Sequence, residues 1–174
     1  MILRALEAED MPQILTWRNQ VLPTLRTSFP LTMKQQMDWY EREVCNRDSR
    51  TRFFAIDEVC HDAIESYYKL VGYGGIEHIQ WENSCGEISL LIDPAEQHKG
   101  LGKKAANMIV DFAFNELNLH TVWGEVYNNN PARKFWEKIA QARNGAITQL
   151  PRRKYHDGQY HDATFFAVFR DGKK

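Results

Sequence analysis

The chain has 174 residues, enough for one domain with a sizeable core and too few for more than two small ones. Apolar residues make up 43%, which excludes a disordered chain, and a net charge of −1 argues against bulk nucleic-acid binding, so any anion site must be local. Three scattered cysteines, a charged start (MILRALEAED) and no apolar run near the ~18 residues of a membrane helix point to a cytoplasmic protein with reduced thiols, no signal peptide and no membrane partner.

In chain order, Ile2 to Leu6 reads as a strand, and Asp10-Met-Pro12 as a helix start carrying Ile14, Leu15 and Trp17 to about Asn19. Pro23 and Pro30 bracket a loop. Thr32 to Gln35 is a capping-box pattern, and the helix after it places Met33, Met37, Tyr40 and Val44 on one face. Arg52 to Glu58 is a strand, Val59 to Tyr67 fits a turn, a long hairpin or a short helix, and Lys69 to Ile79 is a glycine-broken strand. Gly86 to Ile92 is a strand whose apolar end, ISLLI, is covered on both faces. Leu101, Ala105, Met108, Ile109, Phe112 and Leu117 follow helical spacing. Leu119 to Tyr127 is a strand, Ala132 to Ala140 a short helix with Trp136 on its apolar stripe, and Asp157-Gly158 joins two last strands. The order predicts a single α/β domain over residues 1–174, with a mixed central sheet of about seven strands and about four helices.

Gln97 to Lys104 reads QHKGLGKK, at the start of the long helix. Helix starts favour acids, yet no acid appears from Gln97 until Asp111. Gly100 and Gly102 would let phosphate oxygens reach backbone N–H groups, Leu101 lying between them, while Lys99, Lys103 and Lys104 add charge and His98 can donate. A solvated basic helix start is the alternative, but it leaves the cost of two glycines unexplained. The spacing GxxxxGKS or GxxxxGKT of a Walker loop is absent. Gly100, Gly102 and Ala105 fit a relaxed dinucleotide pattern, but Asp93 to Lys99 separates them from the strand they should follow at once.

The stretch from Ile92 through Asp-Pro-Ala-Glu-Gln97-His-Lys-Gly100-Leu-Gly102 resembles the signature of the GNAT acyl-CoA N-acyltransferases. That signature is an apolar strand end, then Gln or Arg, two residues, Gly, one residue, Gly or Ala. The likeness runs from Leu3 to about Phe169. WRN (Trp17 to Asn19), ELNLH (Glu116 to His120) and YHDGQYHD (Tyr155 to Asp162) are similar to the branch of ribosomal-protein alanine acetyltransferases and nucleotide-sugar N-acetyltransferases. The resemblance implies that the turn from Gln97 to Lys103 holds the pyrophosphate of acetyl-CoA, and that Leu90, Leu91 and Ile92 offer main-chain groups to its pantetheine arm. It also implies acceptor recognition by the region of Arg18, Asn19, Arg26 and Phe29, and by the hairpin bearing Tyr155. There an arginine pair could hold a phosphate or carboxylate.

Acetyl transfer to an amine needs a base, N–H donors for the thioester oxygen, and a proton for the departing thiolate. Trp123, Glu125 and Tyr127 share one strand face, and Gly124 allows close approach from the other. Glu125 is the first base candidate, because an apolar strand would desolvate it; pairing with Arg or Lys is the structural alternative. Glu87 is the second, with an exposed strand start as its alternative. Trp136 stands where many relatives place an acidic Tyr, and indole transfers no proton at this pH. Tyr127 is therefore the acid candidate, against a role as a packed aromatic. Asn129 and Asn130 bond the pantetheine or cap a helix. Cys60, His61, Asp62, His78 and Cys85 show no metal-site spacing, so no metal is expected. No cysteine has an evident base partner, which favours direct attack over an acetyl-enzyme. The expected activity is acetyl transfer to the primary amine of a small or sugar-linked acceptor, by a monomer or homodimer. A protein N-terminal acetyltransferase, a non-catalytic acyl-CoA-binding module and a nucleotide-dependent reductase are the alternatives.

Overall fold

The alternation read in the sequence becomes seven strands of one mixed sheet in a computed structural model that describes residues 1–27, 29–62 and 65–171. In chain order the elements are β1 (Ile2–Ala5), α1 (Met11–Gln20), α2 (Met33–Trp39), β2 (Arg52–His61), β3 (Ser66–Gln80), β4 (Cys85–Ile92), α3 (Leu101–Asn115), β5 (Thr121–Tyr127), α4 (Arg133–Ala142), β6 (Ala146–His156) and β7 (Gln159–Phe169). The strand order across the sheet is β1-β2-β3-β4-β5-β7-β6. Neighbouring strands run antiparallel except β4 and β5, whose parallel pairing needs the crossover that α3 supplies. In the ambiguous stretch from Val59 to Tyr67, β2 and β3 pair as the strands of a long hairpin, and residues 63–64 lie outside the described residues.

Two apolar clusters sit on opposite sides of the sheet. One packs α3 and α4 through Leu101, Ile109, Trp136 and Ile139 against Ile56, Val71, Ile76 and Val122. The other packs Met11, Ile14 and Trp17 of α1 against Phe53, Ala55 and Tyr73, with Met37 and Trp39 of α2 beside them. The capping box forms: Thr32 Oγ1 accepts from Gln35 N–H at 3.3 Å, and Gln35 Oε1 accepts from Thr32 N–H at 2.9 Å. Of the face predicted for the helix after Thr32, Met37, Tyr40 and Val44 pack on the core and Met33 does not. Met33 is 40% exposed and Gln36 is fully buried. Past Trp39 the helix widens into a π-helical turn, Tyr40–Cys45, which shifts the side-chain register and brings Trp39 and Tyr40 inward together. At the last hairpin Asp157 and Gly158 both take positive φ, as a tight two-residue turn requires. No helix among the described residues is long and apolar enough to cross a membrane.

Candidate active site

The site begins where the sheet parts. β4 and β5 pair only between Cys85–Glu87 and Thr121–Trp123. Beyond Glu87 the side of β4 toward β5 has no ladder partner; alternate residues of an antiparallel strand turn their main-chain groups to opposite sides, so those of Ile88, Leu90 and Ile92 face the gap while Leu91 pairs with Tyr73 of β3. A cavity of about 370 Å³ fills it, lined by Ser89 and Leu90 of β4, Glu125 and Tyr127 of β5, and Tyr73 and Glu77 of β3. Its floor is aromatic: Trp136 stacks on Phe166 with ring centroids 4.9 Å apart. Phe166 presses on Gly124 so closely that a Cβ there would sit 2.4 Å from the ring. Gly124 thus allows the close approach that the sequence suggested, and Trp136 is a core residue whose edge meets the cavity.

Both carboxylates nominated from sequence line the cavity, and both are held by arginines. Glu87 is buried rather than exposed at its strand start. Its oxygens accept from both terminal nitrogens of Arg26, and His78 Nδ1 lies 3.0 Å from Oε2. The Glu125 carboxylate takes the Arg153 fork, Nε at 3.2 Å and Nη2 at 3.0 Å, which is the pairing weighed against desolvation. Arg26 is therefore paired with a protein carboxylate, whereas Arg18 has no ion pair among the described residues.

Arg18 lines the cavity at the α1 end. Its Nη1 bond to Gln36 Oε1 is 3.5 Å long, the Tyr73 hydroxyl is its other side-chain neighbour, and its buried Nε has no acceptor among the described residues. Asn19 exchanges hydrogen bonds with the Leu31 backbone at 2.9 and 3.0 Å and pins the loop, and it does not line the cavity. Phe29 is 56% exposed, Tyr155 is 63% exposed against Tyr160, and neither lines the cavity. Asn129 is exposed on the turn. Asn130 lines the cavity, accepts from Ala132 N–H at 2.8 Å before α4, and donates to Thr24 O at 3.1 Å.

Glu77 is the residue that sequence reading missed. It faces Glu87 across β3 and β4, beside a bulge where His78 takes positive φ. Burial first, then the Glu87 charge, raises the Glu77 carboxyl above its ordinary value; His78, Arg26 and Arg18 work against this. It makes no hydrogen bond or ion pair among the described residues. An acid in an otherwise apolar strand was the available signal, but only the register puts it opposite Glu87. Tyr127 is also raised, chiefly by burial, with Arg26 opposing and Glu125 adding. Lys154 Nζ lies 4.6 Å from its ring centroid.

Ligand atoms of Glu77, His78 and Glu87 fall within 4.8 Å of one another. Both Glu87 oxygens are already engaged, one of them doubly, and the Arg26 guanidinium beside them repels a cation, which weighs against a metal ion in this group.

Beyond β4 the chain makes the basic turn. Gln97 Nε2 donates to Ile92 O at 3.2 Å, His98 has φ +64°, and Gly100 enters α3 at φ +82°. Only glycine adopts that last conformation without strain. Leu101 buries its side chain and leaves only its backbone to the turn. Lys99 is not a free charge: its Nζ lies 2.6 Å from Glu96, which Lys69 also holds at 2.7 Å. Lys69 first, then Lys99, holds the Glu96 carboxyl down at about 2. Lys103 and Lys104 stay exposed, and α3 has no acid in its first turn. A Cβ on Gly102 would meet Ile92 and Phe135 at ordinary distances of 3.7–3.8 Å, so packing does not require glycine there.

Residues 1–139 match the family described as "Acetyltransferase (GNAT) domain". The spermidine N(1)-acetyltransferase of Escherichia coli (strain K12) is 26% identical over 172 residues, 97% of this chain and 85% of that one. A Bacillus subtilis (strain 168) protein described as "Uncharacterized N-acetyltransferase YnaD" is 26% identical over 117 residues, 66% of this chain and 61% of its own. A Vibrio cholerae spermidine N(1)-acetyltransferase matches at 27% over 53% of either chain. The chain thus spans under two thirds of the length of these last two relatives. Among solved structures, a chimera of the Vibrio cholerae spermidine N-acetyltransferase SpeG with hSSAT superposes with a TM-score of 0.78 at 23% identity, over 98% of this chain and 95% of the other. That likeness establishes the fold.

Proposed function

The chain belongs to the GNAT acetyltransferase domain family, and from that premise we propose that it moves an acetyl group from acetyl-CoA to the primary amine of a small-molecule acceptor by direct attack. One observation carries the reading. The parting of β4 and β5 sets a cavity with three carboxylates between free strand edges, lined by the strand β4 that leads on into the basic turn. The residues present fit acetyl-CoA: the glycine-lined turn suits its pyrophosphate, and the unpaired β4 edge at Leu90 to Ile92 suits its amide-bearing arm. When bound, it supplies an activated acetyl thioester. The chain's own groups do the rest. Glu77 takes the proton that the acceptor ammonium must lose: it lines the cavity without a hydrogen bond or ion pair among the described residues, and burial raises its pKa, which strengthens it as a base. Glu125 and Glu87 remain base candidates whose oxygens are already engaged by arginines. Backbone N–H groups of β4 stabilise the charge that develops on the carbonyl oxygen. Tyr127, protonated and facing the cavity, gives its proton to the leaving sulfur.

The two nearer functional readings differ in acceptor. WRN, ELNLH and YHDGQYHD support the ribosomal-protein and nucleotide-sugar branch, whereas three of the named relatives carry spermidine in their names. A cavity of about 370 Å³ roofed by Leu25 and Arg26 suits a small amine better than a protein terminus. The test is thermal unfolding with acetyl-CoA, CoA and NADPH in parallel, followed by thiol release against a panel of amines. Stabilisation by both CoA forms alone, then thiol release with an amine, is expected. Stabilisation without release from any amine would favour a binding module, and stabilisation by NADPH alone would defeat the reading.

A further inference from the structure

Tyrosines aside, six charged or titratable side chains line the cavity: Arg18, Arg26, Glu77, His78, Glu87 and Glu125. Four of them are matched by protein partners. Glu87 is held by Arg26 and His78, and Glu125 by Arg153 from outside the lining. One cation and one anion are left over, Arg18 and Glu77. Neither has an ion pair among the described residues, and they make none with each other. Arg18 is also the worse satisfied of the two arginines lining the cavity: its bond to Gln36 is 3.5 Å long, its other neighbour Tyr73 is uncharged, and its buried Nε lacks an acceptor. A guanidinium so placed is a fork without a load, since this group is built for bidentate pairing with carboxylate or phosphate. A polycation would meet it as a repulsive charge. Resting on the acetyl-transfer reading, we propose that the acceptor carries an anionic group besides its amine, bound by Arg18 while Glu77 faces the amine. The shared chemistry is an oxyanion, from either a carboxylate or a phosphate.

The test uses matched amines with the full chain and acetyl-CoA: n-butylamine against 4-aminobutanoate, glucosamine against glucosamine 1-phosphate, and spermidine alone. The anionic member of at least one pair should have the higher kcat/KM, by at least about tenfold for a charged hydrogen-bonded contact. The pair that responds separates carboxylate from phosphate. In Arg18→Gln that ratio should fall to near one, and in Arg18→Lys it should recover in part, each variant checked for cooperative unfolding. Spermidine turned over faster than every anionic amine, or a ratio unchanged in Arg18→Gln, overturns the inference and leaves acetyl transfer intact. No turnover of any amine counts against acetyl transfer itself. Calorimetric titration of glucosamine 1-phosphate and 4-aminobutanoate into the CoA-bound protein then decides, and absence of Arg18-dependent binding overturns the inference.

Discussion

Glu77 carries a cost in the folded protein, and the sign of that cost can be measured. Its carboxyl is raised by burial and by the Glu87 charge, so the folded state holds its proton more tightly than the unfolded one. Such a group contributes stability below its ordinary value, and that contribution is lost as pH rises through the raised value. At pH 8 Glu77→Gln should therefore unfold at the same temperature as the native chain or higher, with the difference closing by about pH 4. Its kcat should fall by about 10²-fold or more if Glu77 is the base, with acetyl-CoA affinity retained. A variant less stable at pH 8 than at pH 4, relative to the native chain, would reverse the electrostatic argument. Full turnover would remove Glu77 from proton transfer. Glu125→Gln is the companion: it leaves the Arg153 fork holding a neutral amide. If Glu125 serves as the base its kcat should drop as far as that of Glu77→Gln, and if it positions Arg153 the loss should be smaller.

At the scale of elements, the loop after α1 is clamped over the cavity by β6. A bulge between Leu150 and Lys154, with Arg152 at positive φ, turns Lys154 inward. The buried Lys154 Nζ donates to Pro23 O at 2.9 Å and Leu25 O at 2.8 Å, and burial lowers its pKa. Lys154→Met keeps the stem and strands two carbonyls. It should cost about 1–3 kcal/mol, read from the midpoint of urea unfolding. With Arg26 loosened from Glu87, the amine KM should rise while acetyl-CoA affinity holds. An unchanged amine KM would mean that the loop does not shape the acceptor pocket. The clamp also shows what sequence could and could not give. Strands, the α3 stripe, the Thr32 cap and the Asp157-Gly158 hairpin were legible because each depends on near neighbours. The basic turn was legible for the same reason. The π-helical turn after Trp39 and the two bulges were not, because tertiary packing sets them. Pairings across the cavity were hidden by distance along the chain: Arg26 and Glu87 are 61 residues apart, Glu125 and Arg153 28, and Lys154 and Pro23 131.

For the whole molecule, a net charge of −1 conceals a separation of charge that organises function. Carboxylates gather in the cavity, and uncompensated lysines gather at the start of α3. The turn between them is braced from below by Glu96, whose two lysine partners come from β3 and from the turn itself. Because packing leaves room at Gly102, two substitutions there separate folding from ligand binding. Gly102→Ala adds a methyl group at ordinary contact distance and relieves the entropic cost of a helical glycine, so it should fold at least as stably as the native chain. Gly102→Glu adds a negative charge at the helix end that is meant for an anion. That charge suits the helix dipole and should itself do little harm to folding. Yet it should abolish the gain from acetyl-CoA, which for the native chain at 100 times Kd is about 2.7 kcal/mol. For a chain of this size that gain raises Tm by about 5–10 °C. Native-like folding in both variants, with the ligand shift lost only in Gly102→Glu, would locate the anion at the start of α3. A full shift in Gly102→Glu would place the phosphates elsewhere and leave the lysines of the turn as a solvated helix start.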